Sequence, residues 1–88
     1  MISQEINILN RYGIHARPSS MIADLAENFQ STIIFEKDGK TANARNIMNL
    51  ILLSIEPNSK ITVHINGPDE TSALKALIDL IEVRRFDE

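Results

Sequence analysis

The stretch Gly13-Ile14-His15-Ala16-Arg17-Pro18 sets an imidazole and a guanidinium two positions apart, between a strand-like run and an amphipathic helix. His15 is read as the residue that caps the helix, with Ala16 as the first helical residue. A helix start leaves its first backbone N–H groups unpaired along the axis. With the positive end of the helix dipole, they form a site for anions such as phosphate. Pro18 suits the first turn, where its missing N–H had no helical partner. A residue before proline is pushed from helical angles, so Arg17 is expected in a slightly irregular turn. Gly13 lets the chain enter that turn at angles other residues avoid. A neutral imidazole can attack a phosphoryl group through one ring nitrogen, and the phosphoimidazole leaves readily once the other nitrogen is protonated. The helix amides and the guanidinium of Arg17 would hold the added charge, one such charged hydrogen bond being worth roughly 1.5–3 kcal/mol. A carrier must also release its group, and one arginine with one helix end balances holding against release. The same spacing fits a histidine that merely caps a helix, and the motif alone leaves both open.

The elements that must position these groups follow from periodicity. Ile2, Ile6 and Ile8 alternate with Ser3, Glu5 and Asn7, the period of a half-buried strand, which Asn10-Arg11-Tyr12-Gly13 then breaks. From Ala16 to about Asn28, Met21, Ile22, Leu25, Ala26 and Phe29 make one helical stripe for a core. Arg17, Ser20, Asp24 and Glu27 fall on another face, either simply solvated or bordering a docking surface. Thr32 to Glu36 reads as a second strand, Asp38-Gly39 as a hairpin turn, and Lys40 to Asn43 as a short third strand. Asn46 caps a second helix, Ile47 to Ser54, that is apolar nearly all round. Leu50 and Leu53 are its core candidates. Ile47, Met48 and Ile51 share another side, which is either an exposed apolar patch for protein contact or a buried face. Ile61, Val63 and Ile65 alternate with Thr62, His64 and Asn66 in a fourth strand. His64 therefore points away from the core, as an ordinary solvated histidine without the partners a catalytic site needs. Asp69 or its neighbour starts a last helix with a core stripe of Leu74, Leu77, Ile78 and Ile81. Glu70 near its start and Arg84-Arg85 near its end suit the helix dipole.

The order β-α-β-β-α-β-α implies an α+β fold whose sheet is antiparallel or mostly so, with helices on one face and solvent on the other. Periodicity does not fix the strand order, and a ferredoxin-like βαββαβ domain with an added helix satisfies the same pattern. The 88 residues make one domain, residues 1–88. With no cysteine, neither a disulfide framework nor a thiolate metal site is possible, which fits a reducing cytoplasm. No metal and no cofactor is expected. The N-terminus lacks the basic and apolar runs of a signal peptide, and no stretch is apolar enough to span a bilayer. A net charge of −3, one Tyr and three Phe argue against nucleic acid as a partner.

The loop from Gly13 to Pro18 resembles the active-site loop of HPr, the histidine phosphocarrier family of the bacterial phosphoenolpyruvate-dependent sugar phosphotransferase system. The resemblance continues at Asp38-Gly39-Lys40-Thr41, Asn46-Ile47-Met48, Ile61-Thr62-Val63 and Gly67-Pro68-Asp69-Glu70, and covers nearly the whole chain. It implies the open-faced β-sandwich, with four antiparallel strands in order 1-4-2-3 and three helices on one face. It implies that His15 accepts a phosphoryl group on Nδ1 from phosphorylated Enzyme I and passes it to a sugar-specific Enzyme IIA. Arg17 then stabilises charge, and the backbone N–H groups of Ala16 and Arg17 cradle the phosphate. Both partners would dock through the first two helices, at Ser20, Ile47, Met48 and Ile51. The resemblance further implies a cytoplasmic monomer that is a substrate of the relay rather than a self-sufficient enzyme.

This chain departs from the family pattern twice. Asn46 stands where many Gram-positive members carry a regulatory phosphoserine. It keeps the capping role but has no hydroxyl, so that regulation is expected to be absent at residue 46. Asp24, Glu27 and Asn49 stand where enteric members carry lysines that meet acidic partners. A regulatory or interaction module of the same fold, such as a nitrogen-branch carrier or a docking-only regulator, is the alternative function. A small-molecule-binding ferredoxin-like domain or an isolated hydrolase explains the His15–Arg17 pair less well.

Overall fold

The computed structural model describes all 88 residues. The chain runs through β1 (Ile2–Asn7), α1 (Ala16–Glu27), β2 (Thr32–Lys37), β3 (Lys40–Asn43), α2 (Ile47–Leu52), β4 (Lys60–Asn66) and α3 (Glu70–Ile78). It closes with a π-helical turn, Asp79–Val83, and a 3-10 turn, Arg85–Asp87. The four strands pair antiparallel in the order β1-β4-β2-β3. The ferredoxin-like alternative is thereby set aside, and the open-faced sandwich holds.

Alternation decides which face of the sheet is covered. Ile6 pairs with Ile61, Phe35 with Val63 and with Ala42, and all five are buried. The helices lay Ile22, Ala26, Leu50 and Leu77 onto that face, in one cluster of 20 buried residues. Asp38 and Gly39 both take positive φ, 52° and 80°, as a two-residue turn between twisted antiparallel strands requires.

Three elements differ from the periodic expectation. On α1 the buried line is Pro18, Ser19, Ile22, Ala23 and Ala26, while Met21 and Leu25 are only partly covered. Small side chains thus make up most of the buried line around Ile22, and Met21, Leu25 and Phe29 pack at its margins. On α3 the buried positions are Ala73 and Leu77, followed by Leu80 and Ile81, with Leu74 and Ile78 half-buried. Leu77 and Ile81 are thus buried as the stripe requires, while Ala73 and Leu80 are buried in place of Leu74 and Ile78. The second helix ends at Leu52 rather than Ser54, which has left-handed backbone (φ 54°). Asn46 does cap it, its Oδ1 accepting the N–H of Asn49 at 3.1 Å.

His64 corrects an expectation. It stands on the open face as predicted, but it has partners. Ser3 Oγ lies 2.8 Å from Nδ1 and Glu36 Oε1 lies 2.7 Å from Nε2. The strand register, Ser3 opposite His64 on one side and Ile34 on the other, brings residues 61 positions and 28 positions away onto one imidazole. Both ring nitrogens are engaged, and the neighbouring backbone N–H groups serve the strand ladder.

Two polar anchors tie the helices to the loops. The guanidinium of Arg45 donates to the carbonyls of Ala26, Phe29 and Ser31, satisfying the C-terminal end of α1. The carboxylate of Asp69, at the start of α3, accepts the N–H groups of Gln30 (2.9 Å) and Ser31 (3.0 Å) and the hydroxyl of Ser31 (2.5 Å). Chiefly the Ser31 hydroxyl, then the Gln30 N–H, hold the Asp69 carboxyl below its ordinary value of 3.8. A carboxyl with a depressed folded pKa stabilises the fold above its unfolded pKa, and that contribution disappears as the pH falls through the folded value. Thermal melts of Asp69→Asn should therefore be less stable than wild type near neutral pH and converge on it in acid. A constant gap down to pH about 2, below both protonation steps, is the contrary result.

Candidate functional site at the first helix

His15 is the N-cap of α1, with extended backbone (φ −111°, ψ −162°), and its carbonyl accepts the N–H of Ser19 at 2.9 Å. Its imidazole makes no capping hydrogen bond and its side chain is 45% exposed. A pure capping role would aim a side-chain acceptor at the first-turn amides. The backbone N–H groups of Ala16 and Arg17 have no partner within the chain.

The turn before His15 is fixed by packing. Gly13 has φ +71°, and a Cβ there would run into the carbonyl oxygen of Ile55 and the backbone of Pro57. The N–H of Ile14 donates to that same Ile55 carbonyl at 3.0 Å. The histidine is thus presented by a loop wedged against the segment that leads into β4.

Beside His15 opens a cleft of ≈ 750 Å³, lined by Leu9, Asn10, Arg11, Tyr12, Arg17, Arg85 and Glu88 as well. Three guanidiniums face one carboxylate there, on a chain whose net charge is −3. That concentration of positive charge favours a dianionic group. Arg17 makes no ion pair within 4 Å; its charge is felt by Asp87, whose carboxyl is held below its ordinary value by the hydrogen bond from Arg84 and, more weakly, by the charges of Arg84 and Arg17. Tyr12 meets the His15 ring edge-on, centroids 6.2 Å apart, and Arg11 lies over the Tyr12 ring at 5.8 Å. Glu88 Oε2 is 3.6 Å from His15 Nε2.

Sequence reasoning had singled out His15, Ala16 and Arg17, and the structure brings them together. It had not found Asn10, Arg11, Tyr12, Arg85 or Glu88. Arg84 and Arg85 were expected to complement the dipole of the last helix. Instead Arg84 is paired with Asp87 at 2.6 Å, while Arg85 takes left-handed backbone (φ 51°) and lines the cleft. Of the expected docking residues, Ile47 and Met48 are exposed (40% and 60%), whereas Ser20 and Ile51 are half-buried. The apolar face left open is completed by Leu52, 67% exposed, which settles that this helix is not buried all round. α1 and α2 pack against each other, so this face adjoins the helix that His15 caps.

The family description "PTS HPr component phosphorylation site" matches residues 2–83. The chain belongs to the HPr family. The HPr phosphocarrier of Cupriavidus necator is 36% identical over 88 residues, covering 100% of this chain and 98% of its own. The crystal structure of HPr-C-His from Thermoanaerobacter tengcongensis superposes with a TM-score of 0.94 at 40% identity, over 100% of this chain and 98% of that one. An HPr dimer from the same organism gives a TM-score of 0.72 at 40% identity, over 96% of this chain and 97% of that one. Membership of the HPr family makes this chain a phosphocarrier of the phosphotransferase-system type. No helix is long and apolar enough to cross a membrane.

Proposed function

We propose that His15 accepts a phosphoryl group on Nδ1 from phosphorylated Enzyme I and passes it to an Enzyme IIA. The supporting observation is an exposed imidazole, uncommitted to helix capping, in a cleft that carries three guanidiniums. Arg17 is the charge-stabilising group, and the unpaired N–H groups of Ala16 and Arg17 are donors for the phosphoryl oxygens. The partners dock where α1 and α2 meet, over Ile47 and Met48 with Ser20 and Ile51 at the margin. The chain is a substrate of the relay, acting in the cytoplasm as a monomer of one domain. The test is to incubate the protein with labelled phosphoenolpyruvate and cognate Enzyme I, then add Enzyme IIA. Acid-labile label should appear on this chain and move to the acceptor; absence of label on folded protein is the contrary result.

Charge on the docking face bears on partner choice. Asp24, Glu27 and Asn49 are all exposed there. Acidic partner surfaces would meet like charge, which lowers association rates more than it alters the docked complex. Exchange with an enteric Enzyme I should therefore be slow and weakly salt-dependent, by roughly one to two decades in on-rate relative to an oppositely charged pair. Stopped-flow or pulse-labelling across a salt series checks this. Fast exchange that salt suppresses would contradict it.

A further inference from the structure

We propose that Arg85 is a second guanidinium for the phosphoryl group on His15, and that it favours the fully ionised form of that group. The inference deepens the phosphocarrier reading of His15 and rests on it. A phosphoryl group on a side chain brings a charge of about −1.5 to −2 near neutral pH. The start of α1 offers the equivalent of about half a positive charge, and Arg17 supplies one more. Positive charge is still wanting, and the cleft beside His15 holds it.

The charged and titratable groups that line the cleft with His15 are Arg11, Tyr12, Arg17, Arg85 and Glu88. Their commitments differ. Arg11 lies over the Tyr12 ring at 5.8 Å, and a guanidinium on a ring face is already engaged. Glu88 accepts the N–H of Arg11 at 3.1 Å and the side-chain amide of Asn10 at 3.3 Å. It pairs with no guanidinium within 4 Å. Arg84, the neighbour in sequence, donates to Asp87 from Nε at 3.1 Å and from Nη2 at 2.6 Å. Arg85 makes no ion pair and no side-chain hydrogen bond. It is the free cation that the tail brings to the cleft.

The backbone fixes where that cation starts. Arg85, Phe86 and Asp87 have φ 51°, 58° and 59°, left-handed angles that residues other than glycine seldom adopt. The fully buried Phe86 holds this turn, and the N–H of Glu88 closes it on the Arg85 carbonyl at 3.2 Å. The anchor is next to Arg85 in sequence. Its Cα is therefore placed, while its long exposed side chain is free to meet a group that arrives and leaves. A guanidinium presents paired N–H donors that match phosphoryl oxygens. Because the cation is exposed, its attraction is modest, about threefold in an equilibrium, which suits a carrier that must also release its group. It favours the dianion over the monoanion, so the last proton leaves the phosphoryl group at lower pH when Arg85 is present.

The test compares wild type with Arg85→Gln, Arg85→Lys and Lys75→Gln, the last removing the same charge from an exposed position outside the cleft. Each protein is phosphorylated with phosphoramidate, whose nitrogen–phosphorus bond breaks as the imidazole–phosphorus bond forms, with ammonia leaving. The His15 resonance, identified by its loss in His15→Ala, is followed by phosphorus NMR against pH. In Arg85→Gln the phosphoryl titration should move up by about 0.5 pH unit, the equivalent of threefold, and the difference should fade in about 1 M salt. Arg85→Lys should keep most of the wild-type value, and Lys75→Gln should match wild type. A titration unchanged in Arg85→Gln, or a shift as large in Lys75→Gln, overturns the inference. Phosphoramidate acts without Enzyme I. A chain that shows the Arg85 shift but takes no label from Enzyme I therefore keeps the Arg85 contact and loses the carrier reading instead.

Discussion

Replacing His15 with alanine should abolish phosphoryl uptake while leaving the protein folded. The side chain is exposed and makes no cap hydrogen bond, so its loss should alter stability by no more than about 0.5 kcal/mol. Uptake should fall by at least about 10³-fold, as expected when a covalent nucleophile is removed. His64→Ala is the informative partner variant. Its ring nitrogens face Ser3 and Glu36, so it offers no free electron pair and lies on the uncovered side of the sheet. His64→Ala should keep full uptake. Acid-labile labelling from phosphoenolpyruvate through Enzyme I measures both. Label persisting in His15→Ala, or vanishing in a folded His64→Ala, would contradict the assignment.

The largest effect on stability is expected from Phe86→Ala. The ring is fully buried in the main core although it lies within the last three residues of the chain. Phe→Ala in a core costs about 3–5 kcal/mol, a large part of the roughly 5–15 kcal/mol that holds a domain together. For a chain of this size the melting temperature should drop by more than about 12 °C. The backbone gives no relief, because Phe86 sits at φ 58° between Arg85 and Asp87, which are also left-handed, and alanine is no easier there. Loss of the ring also frees the segment that brings Arg85 and Glu88 to the cleft. Val83→Ala, at a side chain 70% exposed, should change the melting temperature little. Calorimetry on the two variants decides it; a shift of only a few degrees in Phe86→Ala would mean that the tail is not anchored as described.

What could be seen in the chain was what is local. Alternation at Ile2, Ile6 and Ile8 and at Ile61, Val63 and Ile65 marks strands because the side-chain period is two. Asp38-Gly39 marks the hairpin because both positions need positive φ. The order of those strands was beyond periodicity and came from the resemblance to HPr. On the last helix the stripe found Leu77 and Ile81, both buried, but took Leu74 and Ile78 where Ala73 and Leu80 are the buried positions. The site divided in the same way. His15 and Arg17 announce themselves by spacing on a helix start. Glu88 reaches the cleft from 73 positions away in sequence, through a tail whose path depends on Phe86 finding the core. His64 was given no partners because Ser3 and Glu36 reach it only through strand register.

The most direct measurement is phosphorus NMR of the protein phosphorylated through Enzyme I, with its histidines labelled with nitrogen-15. A phosphoramidate resonance coupled to Nδ1 of His15 is the result predicted here. Phosphorus bound to Nε2, to His64 or to a hydroxyl group, or no phosphorus on a correctly folded chain, would contradict it.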